Sequence, residues 1–151
     1  MDLNAYLHEK KIIIENALKD IALSFHAAPA QLRDAMEYTL FSNGKRIRPI
    51  LAITACEAMG KSCDDILPFA CAIEMIHSYS LIHDDLPSMD NDDTRRGKPT
   101  CHKVFGEATA LLAGDGLLTE AFRVMSDSRY TDRATPLAIK QLIYEISSAA
   151  G

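Results

Sequence analysis

PFACAIEMIHSYSLIHDDLPSMD, residues 68–90, begins as a long, largely apolar stretch that continues to about Asp85. Apolar residues occupy so many of its positions that it predicts a helix buried on most sides. The polar residues within the stretch gather towards its C-terminal end, and they are Glu74, His77, Ser78, His83, Asp84 and Asp85. A carboxylate at the end of a buried helix is costly unless it is paired or binds a metal. This helix end is therefore the first candidate for a functional site.

The rest of the chain also has helical periodicity. Helices are predicted over residues 3–25, over a segment that ends near 42–44, over a segment with Pro49 in its first turn and Gly60 as its stop, over about 107–125, and from about Asp132 to the end. The sequence has no alternating strand pattern with hairpin turns, so the predicted fold class is all-α. A length of 151 residues suits a single domain over residues 1–151.

Composition excludes several classes of protein. Sixteen Lys and Arg against 21 Asp and Glu give a net charge of −5, which argues against a general nucleic-acid binder. The four cysteines form no C-x-x-C pair, so reduced thiols and a cytoplasmic location are predicted. Apolar runs such as residues 12–14 are far shorter than the ~20 residues that span a bilayer, and no membrane anchor is expected.

The acids that follow the helix have the composition of a magnesium site. Mg²⁺ favours one or two carboxylates together with substrate phosphate oxygens. In an unbroken helix Asp84 and Asp90 would face different directions, but Pro87 ends or kinks the helix and lets Asp90 return towards Asp84. Arg95 and Arg96 would add forked donors for phosphate oxygens. The alternative is a solvated acidic loop, since loop acids usually have no further role.

An EF-hand is a further alternative for the same acids, because Asp90 begins a plausible calcium loop. The required Gly is replaced by Arg95 and the closing Glu by Cys101, so the sequence excludes this interpretation.

A second cluster, GKRIRP at residues 44–49, brings three cations to a turn before a helix. Helix N-termini attract anions, so Lys45 and Arg48 could hold a second diphosphate there. His77 lies two helical turns before Asp84, on the same side of the helix, where it could bond the same anion. The alternatives are a solvated basic turn and an ordinary core histidine.

These motifs occur in a fixed order along the chain. They are GKRIRP at 44–49, IHSYSLIHDDLP at 76–87, MD at 89–90, DD at 92–93, RRGKPT at 95–100 and LAGD at 112–115. In this order they resemble the trans-isoprenyl diphosphate synthase family, in the bacterial farnesyl type whose first aspartate-rich motif carries two extra residues. The resemblance covers essentially the whole chain, and it implies an isoprenoid synthase-type helical bundle.

The resemblance implies a head-to-tail condensation, in which an allylic diphosphate such as dimethylallyl or geranyl diphosphate is elongated by isopentenyl diphosphate to farnesyl diphosphate. It implies that Mg²⁺ is held by Asp84 and Asp90 and helps the allylic diphosphate to leave. Arg95 matches the position that binds the allylic diphosphate. The positions that bind isopentenyl diphosphate are matched by Lys45, Arg48, His77 and Arg96.

In this family, bulk on the helix just before the aspartates limits the length of the product. Tyr79, with Ser80 beside it, lies at such a position, and a large side chain there favours a C15 product. The alternative is that Tyr79 is ordinary core. The family usually has two glycines before the Lys-Arg pair; here Asn43 replaces the first, and Asn is expected to preserve the turn because it tolerates a left-handed backbone.

Members of the family are considerably longer and carry a second aspartate-rich motif. The resemblance therefore implies that residues 1–151 are the N-terminal half of a homodimeric enzyme, and that this half is inactive by itself. Three alternatives stay open. They are a geranylgeranyl or other short-chain polyprenyl diphosphate synthase, a non-catalytic diphosphate-binding subunit, and a terpene cyclase, although a cyclase has no second diphosphate substrate to explain Lys45, Arg48 and His77.

Overall fold

A computed structural model describes residues 2–150, so Met1 and Gly151 of the predicted domain lie outside the described residues. The helices are α1 (Leu3–Ala22), α2 (Ala30–Leu40), α3 (Ile47–Ala58), α4 (Cys63–Asp84), α5 (Cys101–Phe105), α6 (Glu107–Ser126), α7 (Ser128–Thr131) and α8 (Pro136–Ala150). A 3-10 turn (Leu23–Ala27) continues α1, and two short strands, β1 (Thr94–Arg95) and β2 (Lys98–Pro99), form a hairpin. The prediction of an all-α fold is confirmed.

Helix α4 is the central element of the fold. Four consecutive residues, 69–72, are buried, and four consecutive residues point to all sides of a helix. It packs chiefly against α6 and α3, and α2 contacts both α6 and α4. The prediction of a helix buried on most sides is therefore correct. Its start lies earlier than the apolar stretch, because Ser62 and Asp65 form a capping box that begins the helix at Cys63.

Small residues let α4 and α6 approach closely. Ala110, Ala113 and Gly114 of α6 are buried. A Cβ added at Gly114 would lie 2.2 Å from Nε2 of His83, so only glycine leaves room for that imidazole. Nε2 of His83 in turn lies 3.0 Å from the carbonyl oxygen of Leu111. This contact attaches the functional end of α4 to α6.

The expectation that no strands occur is wrong for residues 94–99. Thr94 pairs with Pro99 and Arg95 with Lys98 in an antiparallel hairpin. Arg96 (φ 54°) and Gly97 (φ 78°) both have positive φ, as a two-residue type I′ turn requires. Strands of two residues have no alternating pattern, so sequence periodicity could not reveal them. The hairpin turn presents Arg96 at its tip.

Other predicted boundaries differ by a few residues. Helix α1 ends at Ala22, and α5 was not predicted at all because five residues are too few for a periodic pattern. The last predicted helix, from about Asp132, begins at Pro136 after the separate short helix α7. Gly60 has φ +73° and follows the end of α3, which confirms its predicted role as a stop.

Helix α4 is long and apolar enough to cross a membrane by length and composition alone, and half of its most apolar window is buried inside the protein. Its Glu74 is also buried and pairs with Arg46 of a neighbouring segment. These contacts are those of a core helix. The four cysteines are free thiols, as predicted, and burial raises the pKa of Cys101 to about 11.

Candidate active site

The chain reverses direction directly after α4. Asp84 is the last residue of the helix, and its carbonyl oxygen accepts a hydrogen bond of 2.8 Å from the backbone N–H of Asp90. Residues 84 and 90 are thus neighbours, although six positions separate them. In the described part of the chain, neither carboxylate has an ion-pair or hydrogen-bond partner. The backbone therefore returns to the helix end after Pro87, and the role of the two acids as metal ligands stays a prediction.

The donor set suits a metal that shares its coordination with a ligand. Residues 2–150 contain no group of three or more His, Cys, Asp or Glu side chains close enough to hold an ion by themselves. Mg²⁺ commonly takes one or two carboxylates and completes its octahedron with water and phosphate oxygens. Asp84 and Asp90 fit this type of coordination. They do not fit a site in which the protein supplies every ligand of the metal.

Asp85 has a role that the sequence reasoning missed. It is only 4% exposed and accepts hydrogen bonds from Arg95, with Nε–Oδ1 at 2.8 Å and Nη2–Oδ1 at 2.7 Å. A second carboxylate, Asp92, lies 3.5 Å from Nη2 of Arg95. Bidentate pairing of this kind orients a guanidinium as well as balancing its charge. The doubled Asp84-Asp85 could have indicated this role. Adjacent residues on a helix point in directions about 100° apart, so only one of the two acids can share a site with Asp90 and the other needs a different partner.

The basic cluster at residues 44–49 divides into two parts. Arg46 adopts a left-handed backbone (φ 53°) and turns inward, where Nη1 lies 2.7 Å from Oε1 of Glu74 and Nη2 donates to the carbonyl of Leu40. Lys45 and Arg48 remain exposed. Of three cations in sequence, one is structural and two are available to a ligand. The explanation offered for Asn43 is wrong, because the left-handed residue of this turn is Arg46 and not Asn43.

Gly44 has a different role, because it leaves space for a neighbouring side chain. A Cβ at this position would lie 2.7 Å from Nη1 of Arg96, so the guanidinium of Arg96 rests directly on the glycine. The same Nη1 lies 3.5 Å from Oγ of Ser42. The tip of the hairpin at residues 94–99 is thereby held against the turn that precedes α3. This contact brings together Lys45 and Arg96, two of the cations predicted from the sequence.

These contacts form a cleft of about 440 Å³, here called the basic cleft. Its lining residues are Lys11, Asn43, Gly44, Lys45 and Arg96. Among these described residues there are three cations and no carboxylate. Such a surface attracts anions, and the forked guanidinium of Arg96 suits phosphate oxygens.

A second cavity of about 510 Å³, the apolar cleft, lies beside α4. It is lined by Arg48, Ile73, Ile76, His77, Tyr79 and Ser80, together with Glu145, Ile146, Ala149 and Ala150 of α8. The structure thus places the two chain-length candidates, Tyr79 and Ser80, in the same mostly apolar cavity as Arg48 and His77. The ring of Tyr79 meets that of His83 edge to face, with centroids 5.3 Å apart.

The four residues predicted to hold isopentenyl diphosphate are divided between these cavities. Lys45 and Arg96 line the basic cleft, and Arg48 and His77 line the apolar cleft. Partial burial lowers the pKa of His77, and the charges of Arg48 and Arg96 lower it further. His77 is therefore close enough to cations of both cavities to be affected by their charge.

The fold and this site together define an all-α protein with a candidate site for a divalent metal and an anionic ligand. The crystal structure of an FPP/GFPP synthase from Zymomonas mobilis matches with a TM-score of 0.79 and 39% identity, over 96% of this chain and 54% of that one. A geranyltranstransferase from Thermotoga maritima matches with a TM-score of 0.74 and 45% identity, over 80% of this chain and 44% of that one.

The polyprenyl synthetase family matches residues 29–148, and the chain belongs to that family. Farnesyl diphosphate synthase from Geobacillus stearothermophilus is 52% identical over 151 residues, which are 100% of this chain and 50% of that protein. The large subunit 1 of a heterodimeric geranylgeranyl pyrophosphate synthase from Arabidopsis thaliana is 47% identical over 99% of this chain and 40% of that protein. The chain spans about half the length of the curated relatives it matches.

Proposed function

We propose that the protein containing this chain is a Mg²⁺-dependent prenyltransferase that condenses dimethylallyl or geranyl diphosphate with isopentenyl diphosphate to give farnesyl diphosphate. The observation that carries the proposal is the hairpin at residues 94–99, which pairs Arg95 with Asp85 next to the two unpaired acids and presents Arg96 to the basic cleft. Relatives about half identical to the chain, named farnesyl diphosphate synthase, support this choice of reaction.

Asp84 and Asp90 are the residues that would hold Mg²⁺. When bound there, the ion supplies Lewis-acid stabilisation for the charge that develops on the departing diphosphate. Arg95 donates to the allylic diphosphate, and Asp85 positions it for that task through the bidentate contact. Because Asp85 is buried, its carboxylate has a fixed position and holds one side of the Arg95 guanidinium. The remaining N–H groups of Arg95 can then donate to the ligand.

Isopentenyl diphosphate is held with its double bond towards the allylic carbon. The residues that hold it are Lys45, Arg48, His77 and Arg96. The allylic C–O bond breaks, the electron pair leaves with diphosphate, and the double bond attacks the resulting carbocation. The new carbocation then loses a proton to the departed diphosphate, which leaves an uncharged hydrocarbon chain with a new double bond. The residues of this chain thus act by binding, orientation and charge stabilisation, and no covalent enzyme intermediate is needed.

The growing hydrocarbon tail occupies the apolar cleft, and Tyr79 with Ser80 limits its length. The cleft supports this assignment because apolar residues Ile73, Ile76 and Ile146 line it beside the two residues. A cytoplasmic homodimer without a membrane anchor is the proposed state of the complete protein. The 151-residue chain alone is expected to be inactive, because a second aspartate-rich motif is expected in the complete enzyme.

A geranylgeranyl product is the second candidate, since plant geranylgeranyl pyrophosphate synthases are 45–47% identical to the chain. The test is to incubate the complete protein with geranyl diphosphate, labelled isopentenyl diphosphate and Mg²⁺, and to separate the products by chain length. A C15 product is expected, and a C20 product would select the second candidate. Absence of any product with every allylic primer would refute the assignment as a prenyltransferase.

The same assay tests the metal-binding acids. Asp84→Asn is expected to lower kcat by about two orders of magnitude or more, the usual loss when one charge-stabilising group is removed. Asp20→Asn is the matched control, because Asp20 is an exposed acid of α1, on a different element from the proposed site. Equal activity of the two variants would remove Asp84 from the site.

A further inference from the structure

A lysine outside all of the sequence motifs lines the basic cleft. Lys11 belongs to α1, whereas Lys45 belongs to the turn before α3 and Arg96 to the hairpin tip. Three separate elements thus deliver one cation each to a cavity of about 440 Å³. Like charges brought together in this way repel each other unless an anion lies among them.

The contacts of Lys11 in the free protein are weak. Its Nζ lies 3.7 Å from Oε1 of Glu15, one turn along α1, and both side chains are about one-third exposed. Pairs of this kind stabilise a helix by about 0.3–0.5 kcal/mol at most, and the order Lys before Glu is the less favourable one. The ammonium group of Lys11 is therefore easily transferred from Glu15 to a stronger anion.

Glu15 has a second cationic neighbour that is incompletely bonded. Its Oε1 lies 3.6 Å from Nε of Arg46, and that Nε is buried without a hydrogen-bond partner. A buried donor without a partner costs about 1–3 kcal/mol, so a small movement of Glu15 towards Arg46 would recover free energy. Release of Lys11 is thereby coupled to completion of the hydrogen bonds around Arg46.

We propose that Lys11 is a third diphosphate-binding cation of the basic cleft, acting with Lys45 and Arg96, and that Glu15 is its counter-ion in the free protein. On binding, Lys11 turns from Glu15 to the diphosphate, and Glu15 moves to Nε of Arg46. This inference rests on the proposed function, because it assumes that Lys45 and Arg96 bind a diphosphate. It extends the site to a helix that none of the motifs includes.

The ordinary alternative is that Lys11 is a solvated lysine in a surface ion pair. Three features favour the binding role over this alternative. They are the position of Lys11 on the lining of the basic cleft, the weakness of its pair with Glu15, and the buried Nε of Arg46, which can donate to Glu15 once Lys11 has left it.

Calorimetric titration of the complete protein tests the proposal with two probes, isopentenyl diphosphate and inorganic pyrophosphate. Lys11→Met is expected to raise the Kd of both by about tenfold, because a charge-assisted hydrogen bond is lost. Lys11→Arg should restore most of the affinity. The matched control is Lys19→Met, an exposed lysine on the same helix that is not part of the basic cleft.

Thermal unfolding separates binding from a structural role. The melting temperature of Lys11→Met should stay within about 2 °C of the parent chain, since its ion pair is weak. If the loss of affinity appeared with inorganic pyrophosphate but not with isopentenyl diphosphate, Lys11 would bind only the free product anion, and its assignment to the substrate site would be overturned.

Lys45→Met distinguishes the two levels of inference. If Lys45→Met weakens binding and Lys11→Met does not, the role of Lys11 is refuted and the proposed function stands. If the parent chain binds neither probe, the diphosphate site itself fails, and the role of Lys11 fails with it. A Lys11→Met variant that binds as weakly as Lys45→Met, with unchanged melting, is the result expected.

Discussion

Replacing Glu74 by Gln should lower the free energy of unfolding by about 3 kcal/mol, because removing one partner of a buried ion pair leaves a buried charge uncompensated. The side chains of Arg46 and Glu74 are 2% and 3% exposed, and Nη1 and Oε1 are 2.7 Å apart. Gln keeps the shape and one acceptor but removes the negative charge. Glu15, at 3.6 Å from Nε of Arg46, compensates part of that charge, which places the effect at the lower end of the range for buried pairs.

The assay is urea unfolding of the 151-residue chain, followed by circular dichroism of its helices. With a slope of about 2 kcal/mol per M, a loss of 3 kcal/mol moves the midpoint down by about 1.5 M. Glu120→Gln is the matched control. Its pair with Arg123 is partly exposed, so the same substitution there should cost about 1 kcal/mol or less.

The site should respond together with the fold. Arg46 lies between Lys45 and Arg48 and is the left-handed residue from which α3 starts. Loss of the contact between Arg46 and Glu74 in the Glu74→Gln variant is therefore expected to weaken diphosphate binding as well. A Glu74→Gln midpoint as close to that of the parent chain as the Glu120→Gln midpoint would refute the reasoning, since it would mean that the pair contributes no more than a surface contact.

Three further predictions concern residues near the end of α4. Gly114→Ala should destabilise the chain by roughly 1–3 kcal/mol, because its Cβ would lie 2.2 Å from Nε2 of His83; Gly116→Ala, whose nearest neighbour is a flexible methionine sulfur at 3.1 Å, should cost less in the same urea titration. The pKa of His77 is lowered in the folded state, so the unfolded chain binds more protons and stability should fall as the pH drops through 6.5. His77→Gln should flatten that part of a plot of melting temperature against pH. A plot that is the same for both proteins would contradict the lowered pKa. In the complete protein, Tyr79→Ala should shift the product beyond C15 in the chromatographic assay, and an unchanged product length would remove Tyr79 as the limit.

Local patterns were sufficient for much of the fold. The burial of α4 on most sides follows from its nearly continuous apolar sequence, and the position of Gly60 follows from the need for positive φ after a helix. The hairpin at residues 94–99 was missed, because strands this short bury no alternating face. Short or irregular elements depend on contacts with the rest of the chain, which periodicity does not record.

The family, the all-α class, and the acids and cations of the motifs could all be predicted from the sequence. Which of those charges are available to a ligand depends on packing between distant segments. The tertiary structure turns Arg46 inward to Glu74 and pairs Arg95 with Asp85. It also adds Lys11, a residue of α1, to the basic cleft. The partner of a charged side chain depends on how deeply the side chain is buried and on the local direction of the backbone, as at the left-handed residue Arg46. Burial and backbone direction both result from packing between segments that are distant in sequence.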